Sequence, residues 1–453
     1  MNKWKNLIFT HCIKEILPLF NSLFLGIYFL KITEGNLTTI ALYYLIYYLS
    51  HVTCRYIVSK FINSSRVIKM YRMGLLTTLI ISLILLFSRE NIVNFIYLFA
   101  TIYAFSQCLY WSSYEVIIDN LNHKDNFNKY FTYDSVINNI TSVVFPIILG
   151  NVIEMYSYEL VFLILVCITV VSFILSFTIK DVKIDCEKIQ SKKSIKTIKD
   201  KKLFKLMGFQ AVCDGLTNGG VISLLATLIL YNNVKSEGII GNLSSVIALI
   251  CVFAAIVVEK KVNYKNYKKI VLPLVTMMFL ITIPISLKGS AILIAIYQLL
   301  IALGNVLTNI EGNALVFKGI NYILDAKYKV DYYWFIELFL NIGRAVGMMM
   351  ILILFNFFKD INSLIVLFIF FSVFYIVRAL VIIALQKKIK QEWKIPRIMK
   401  IWLIKQKIEK RKDKVMNTEK IIKDSLINFN GKVAIYYDDL KGNVIKINEK
   451  RAI

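Results

Sequence analysis

Three histidines are all that the 453 residues contain, and His11, His51 and His123 stand far apart with no metal-ligand spacing among them. There is no HExxH and no GxxxxGK[ST] loop to cradle nucleotide phosphates. Nothing here would drive work by ATP, and no nucleophile, base or metal cluster can be assembled, so neither an enzyme nor a cofactor is expected. The cysteines number seven, an odd count, and lie mostly in or beside apolar runs (Cys12, Cys54, Cys108, Cys167, Cys186, Cys213, Cys251). They read as small core residues, without a disulfide framework. Charge is scarce as well, at 18% of residues against about 25% in soluble domains. A cleavable signal peptide is not evident: the basic MNKWK start leads into a stretch holding Lys14, Glu15 and Pro18, which reads as a first membrane helix acting as its own anchor.

What fills the chain instead is apolar. Hydrophobic residues make up 57% and mean hydropathy is +0.63. They come in blocks of about 18 residues or more, which are candidate membrane helices. Six blocks are expected at 13–30, 37–58, 73–88, 92–118, 132–153 and 159–179. Six more are expected at 206–231, 238–258, 270–287, 290–317, 332–358 and 362–385. The net charge of +25 suggests nucleic acid, but Lys and Arg avoid the blocks and cluster in alternate loops. With both termini cytoplasmic, about 26 basic residues fall inside and about 5 outside, as positive-inside topology requires. No nucleic-acid partner is expected; anionic lipid headgroups at the cytoplasmic face are.

The phrase GNLTTIAL at Gly35 returns as GNLSSVIAL at Gly241. Asp134, Asn138 and Thr141 return as Glu337, Asn341 and Arg344, each 203 positions later and each set spaced i, i+4, i+7 on one helix face. A duplicated six-helix unit follows, and because six is even the halves are parallel repeats. The expected fold is an all-α membrane protein of twelve transmembrane helices in two such pseudo-repeats, with a short cytoplasmic C-terminal tail. Its parts are an N-terminal half 1–180, a basic linker 181–205, a C-terminal half 206–386, a basic amphipathic segment 387–415 and a tail 416–453.

This arrangement resembles the major facilitator superfamily of secondary transporters. That family's signature, G-x-x-x-D-R-x-x-x-R/K-R/K, survives in degraded form after span eight as Ala255-Ile-Val-Val-Glu259-Lys260. After span two the corresponding place reads Arg55-Tyr-Ile-Val-Ser-Lys60, without the acid. The resemblance implies a cavity lined by spans one, four, seven and ten, exposed alternately as the halves rock.

Several residues could serve such a cavity. Tyr103, Gln107, Tyr110, Trp111 and Tyr114 of span four share a sector of about 100°, giving apolar area and hydrogen bonds together; an aromatic belt at the headgroups is the alternative. Gln298, Asn305 and Asn309 form an amide stripe on span ten, for cargo or for interhelical hydrogen bonds. Asn21 and Asn218 join the cavity set. Asp214 and Glu311 are candidate proton carriers. Arg344 lies about 18 Å into a core some 30 Å thick; it requires a carboxylate (Asp214, Glu311 or Glu337) or an anionic cargo. Asp134, Glu259, Lys260 and Glu337 read as a cytoplasmic gate, or as acids favoured at helix N-termini. Glu115 and Asp119 read as interfacial.

The tail segment KVAIYYDDLKGNVIKIN reads as strand, turn at Lys441-Gly442-Asn443, and strand. It resembles the opening hairpin of class A-type serine β-lactamase domains, but no S-x-x-K follows, so a catalytically empty remnant is expected. The expected function is secondary transport of a small solute across the cell membrane by a monomer, driven by a proton or other ion gradient, with export of amphipathic compounds favoured by the aromatic face. A lipid-linked or polysaccharide flippase and a non-transporting scaffold are the alternatives.

Overall fold

The protein is described by a computed structural model covering residues 3–62, 66–121, 127–179, 198, 200–217, 220–262, 266–288, 290–323, 329–358, 362–389 and four short strands between 427 and 446. The chain divides into two compact units, Met1–Lys387 and Lys388–Ile453. In the first, every element is helical. Nine stretches among the described residues are long and apolar enough to cross a membrane, and one of them, Val67–Ile118, is 52 residues long.

Helix α1 runs through Lys3–Lys14, Ile16–Phe20, a π-helical turn Asn21–Leu25 and Gly26–Ile32. Then come α2 (Leu37–Phe61), α3 (Val67–Ser88), α4 (Ile96–Leu121), α5 (Phe127–Met155) and α6 (Tyr158–Ser176). After the linker, α7a (Lys201–Thr217) and α7b (Val221–Val234) form one broken helix. The rest are α8 (Glu237–Lys261), α9 (Tyr267–Lys288), α10 (Ala291–Ile323), α11 (Lys329–Phe358) and α12 (Val366–Ile389). The end of the bundle where α1 begins is called the near end, the opposite one the far end.

The first copy of the repeated phrase builds a helix start at the far end, whereas the second lies inside α8, whose start is capped five residues before it by Ser236. The Asn36 side chain accepts from Thr39 N at 3.3 Å to cap α2, and Ser236 Oγ accepts from Ile239 N at 3.1 Å to cap α8. Such caps satisfy amides that have no partner within the helix. Large apolar side chains face outward on α3, α6, α8 and α9, among them Phe87, Ile174, Phe253 and Leu280. In lipid that exposure carries no penalty, and the polar side chains turn inward.

The first-half helices α2 and α5 pack along α11 and α8 of the second half. The α5–α8 crossing is close because glycines meet there. A Cβ on Gly241 would strike the Pro146 carbonyl, and one on Gly150 would come within 2.7 Å of the Glu237 carbonyl oxygen. Gly241→Leu is therefore expected to force these helices apart and to cost about 1–3 kcal/mol, measured by thermal unfolding in detergent. The α7a–α11 crossing is built alike: a Cβ on Gly215 would strike the Leu340 carbonyl. Gly219, four residues on, lies outside the described residues.

In the second unit, β1 (Ile427–Phe429) pairs antiparallel with β2 (Lys432–Ala434). Strand β3 (Tyr436–Asp438) pairs with β4 (Val444–Lys446), Tyr436 opposite Lys446. The second pairing brackets positions 441–443, where a turn is expected and which lie outside the described residues; the first had no separate signal.

Candidate functional site

Two of the helices at the centre are irregular where a cavity lies. In α1 the π-helical turn at Asn21–Leu25 frees a carbonyl at Asn21, which accepts from the Tyr44 hydroxyl at 3.3 Å. In the broken α7, Gly220 takes φ +91°, a left-handed value that favours glycine, and the freed Thr217 carbonyl accepts from the Tyr375 hydroxyl at 2.9 Å.

The cavity encloses about 190 Å³. Asn21 and Ser22 line it from α1, Tyr43, Tyr44, Tyr47 and Tyr48 from α2, Tyr103 from α4, Gly220 from the α7 break and Arg344 from α11. Tyr47 and Tyr103 stack with centroids 5.1 Å apart, and the Arg344 guanidinium sits 5.4 Å from the Tyr48 ring centroid. Pro18 and Ser22 are shared with a second pocket of about 270 Å³, which Glu15, Leu19, Asn138, Thr141 and Ser142 complete. The α2 tyrosines were not among the residues expected here, yet YYLIYY carried a signal. Two tyrosine pairs four residues apart put four hydroxyl-tipped rings near one side of an otherwise apolar helix.

Arg344 Nη1 donates to Asn341 Oδ1 at 3.2 Å, and among the described residues no carboxylate reaches it. Of its three candidate partners, Asp214 pairs with Arg378 at 2.7 Å and Glu311 accepts from Gln386 Nε2 at 2.7 Å. Glu337 is reached only through Asn341, whose Nδ2 donates to Glu337 Oε2 at 3.2 Å; His51 Nδ1 is 4.0 Å from the same oxygen. The most deeply buried cations are instead Arg378 and Lys14, each 0% exposed. Arg378 Nη2 also donates to Asn309 Oδ1 at 2.7 Å, and Tyr375 donates to Asn305 Oδ1 at 2.9 Å. Gln298 donates to Thr227 Oγ1 at 3.3 Å. The span-ten amides thus tie α10 to α12 and α7.

The aromatic face of α4 divides. Tyr103 reaches the cavity; Tyr110, Trp111 and Tyr114 close over α1. His11 Nδ1 is 2.7 Å from the Tyr110 hydroxyl, and Lys14 Nζ lies 4.1 Å from the Tyr110 ring centroid while donating to Glu15 and Gln107. Glu115, expected at the interface, ion-pairs with the buried Arg55 of α2. Asn218, and the side chains of Asp134, Glu259 and Lys260, lie outside the described residues.

The far end joins the two halves. Lys31 of α1 ion-pairs with Glu237 of α8, which also accepts from the Tyr158 hydroxyl at 3.1 Å. Glu154 of α5 accepts from Ser236 Oγ and Gly238 N, both at 2.6 Å, and Thr38 of α2 donates to Asn356 of α11 at 3.2 Å. Toward the near end, the side-chain contacts between halves among the described residues are on α2 and α11, as in Tyr56 against Trp334 at 5.2 Å.

The sequence matches the family model of the Major Facilitator Superfamily over residues 16–347. No curated protein matches it. Among solved structures it is similar to a POT family transporter in complex with a thioalcohol-conjugated peptide, at 13% identity and TM-score 0.63, over 85% of this chain and 96% of that one. It is also similar to a bacterial homologue of the iron transporter ferroportin. The outward-facing state gives 12% identity, TM-score 0.61 and coverage of 86% and 100%; the inward-facing state gives 12%, 0.58, and 85% and 98%. At such identities the likeness is one of fold.

Proposed function

The chain belongs to the major facilitator superfamily of secondary transporters, and we propose that it moves a small solute by alternating access through the cavity at Arg344 and the α2 tyrosines. The observation that carries this reading is the far-end seam: Lys31–Glu237, Glu154–Ser236 and Thr38–Asn356 all join opposite halves directly beyond the cavity. The basic-loop asymmetry makes the near end cytoplasmic, so this conformation is latched outside. Twelve spans fit the same reading. The 52-residue stretch contains both α3 and α4, and α2 and α5 are membrane-length helices whose polar residues face the cavity region.

The test places a single cysteine at Ser22 in a background without other cysteines and labels it from either side of vesicles. Labelling from the cytoplasmic side is expected in the latched protein, and Lys31→Ala is expected to add labelling from outside. Reactivity from both sides, or from neither, regardless of Lys31 would sink the reading.

Of the two candidate proton carriers, Glu311 is the one we assign. Protonating Asp214 would strand the buried Arg378, whereas among the described residues Glu311 accepts from the Gln386 amide and forms no ion pair. Glu311→Gln is expected to abolish accumulation driven by a pH gradient while leaving counterflow within about twofold of wild type. Equal loss of both would remove Glu311 from coupling.

A further inference from the structure

Resting on the transport reading, the geometry points to a cargo class: a small organic anion with a planar ring, its carboxylate on Arg344 and its ring among the α2 tyrosines. Charge balance carries the first half. Among the described residues, the three buried cations each have a carboxylate of their own: Lys14 with Glu15, Arg55 with Glu115 and Arg378 with Asp214. The half-buried Arg344 has no described carboxylate within ion-pair reach and faces open volume instead. Its surroundings leave donors free. Arg344 Nε, the Tyr43 hydroxyl and Asn21 Nδ2 are buried without a hydrogen-bond partner, as is Asn21 Oδ1, and all belong to residues lining this one cavity. Asn21 is 6% exposed. A buried donor left unmade costs about 1–3 kcal/mol, and a carboxylate satisfies several at once with charge-assisted bonds.

The charged and titratable groups around Arg344 do not remove the need for an anion. From its own helix Glu337 is held at Asn341 and acts on Arg344 from beyond ion-pair distance; from α2, His51 faces Glu337 and Asn341, and Tyr47 and Tyr48 present rings. A cationic cargo would meet the guanidinium head-on.

The ring follows from the walls. Tyr43, Tyr44, Tyr47, Tyr48 and Tyr103 supply aromatic surface on one side, and the Arg344 guanidinium lies against Tyr48. A flat apolar body can stack there without surrendering hydrogen bonds. A small carboxylate without a ring would gain the charge and forfeit the surface.

The test uses the full chain purified in detergent, with thermal stabilisation as the readout. The probes are naphthoate, naphthamide, naphthylmethylammonium and acetate. Naphthoate alone is expected to stabilise strongly. Arg344→Gln should weaken it by about 10- to 100-fold, with Arg344→Lys between the two. Should Arg344→Gln fail to fold, Asn21→Leu serves in its place, with a loss of about 3- to 10-fold. Equal binding of naphthamide, equal binding of acetate, or naphthoate binding unchanged in both variants would overturn the assignment. If none of the four stabilises the protein while Ser22 labelling still responds to Lys31, the cargo class is wrong and the transport reading stands. If naphthoate binds but the labelling ignores Lys31, the site stands and the transport cycle does not.

Discussion

Arg378→Met is expected to lower the stability of the folded protein by about 3–5 kcal/mol, the usual loss when one partner of a buried ion pair is removed. The reason is what stays behind. Asp214 keeps its charge between α7a and α12, while Asn309 Oδ1 and Thr217 Oγ1 lose the guanidinium that spans them. Thermal unfolding in detergent, with and without Asp214→Leu in the same chain, separates the causes. The double variant should recover most of the loss, because a well-packed apolar pair leaves no buried charge unpaired. Arg378→Lys should recover little: a point ammonium cannot reach Asp214, Asn309 and Thr217 together as the planar guanidinium does. If Arg378→Met unfolds like wild type, the pair is hydrated and does not bind α7 to α12.

That pair also marks the limit of what could be read beforehand. Apart from α1, which begins ten residues before its expected span, apolar blocks and basic loops located the helix ends to within about six residues, because lipid enforces length and charge asymmetry on every span. The irregularity of helix α7 was only half legible: Gly220 in the sequence fits close helix contact as well as unwinding, and it is the φ of +91° that shows the break. Which residues meet across helices was not legible. Spacing of i, i+4 fixes the side of a helix on which Asp214 lies, but nothing within that helix says that Arg378 of α12 is rotated toward it. The aromatic run of α4 failed for the same reason: Tyr110 and Tyr114 share a face with Tyr103, yet α1 brings His11 and Lys14 against one end and leaves the other to the cavity. Tyr47 and Tyr48 were passed over because a tyrosine-rich helix reads as an ordinary apolar span. Lys31 and Glu237 lie between expected spans, where nothing in the sequence pairs them. Folding buries Glu237 to 4% exposure beside Lys31, and so turns two loop charges into a seam.

That seam yields the other large effect. Glu237→Lys is expected to open the far end and to cut net transport by at least about tenfold. Lys31 and the new lysine would face each other at ion-pair range, where like charges repel by about 1–4 kcal/mol. The Tyr158 hydroxyl would lose its acceptor as well. On the proposed alternating-access cycle the cost falls only on the conformation in which α1 and α8 meet, so the balance between conformations is expected to move while each half keeps its own packing. Labelling of Ser22→Cys from outside should rise as net transport falls, and the protein should still purify as a folded species. Exchanging both charges, with Lys31→Glu added, restores attraction across the seam and should return labelling and transport toward wild type. Restoration is the decisive arm, since a lysine that merely disrupted the α8 helix start at Ser236 would not be rescued by a change on α1.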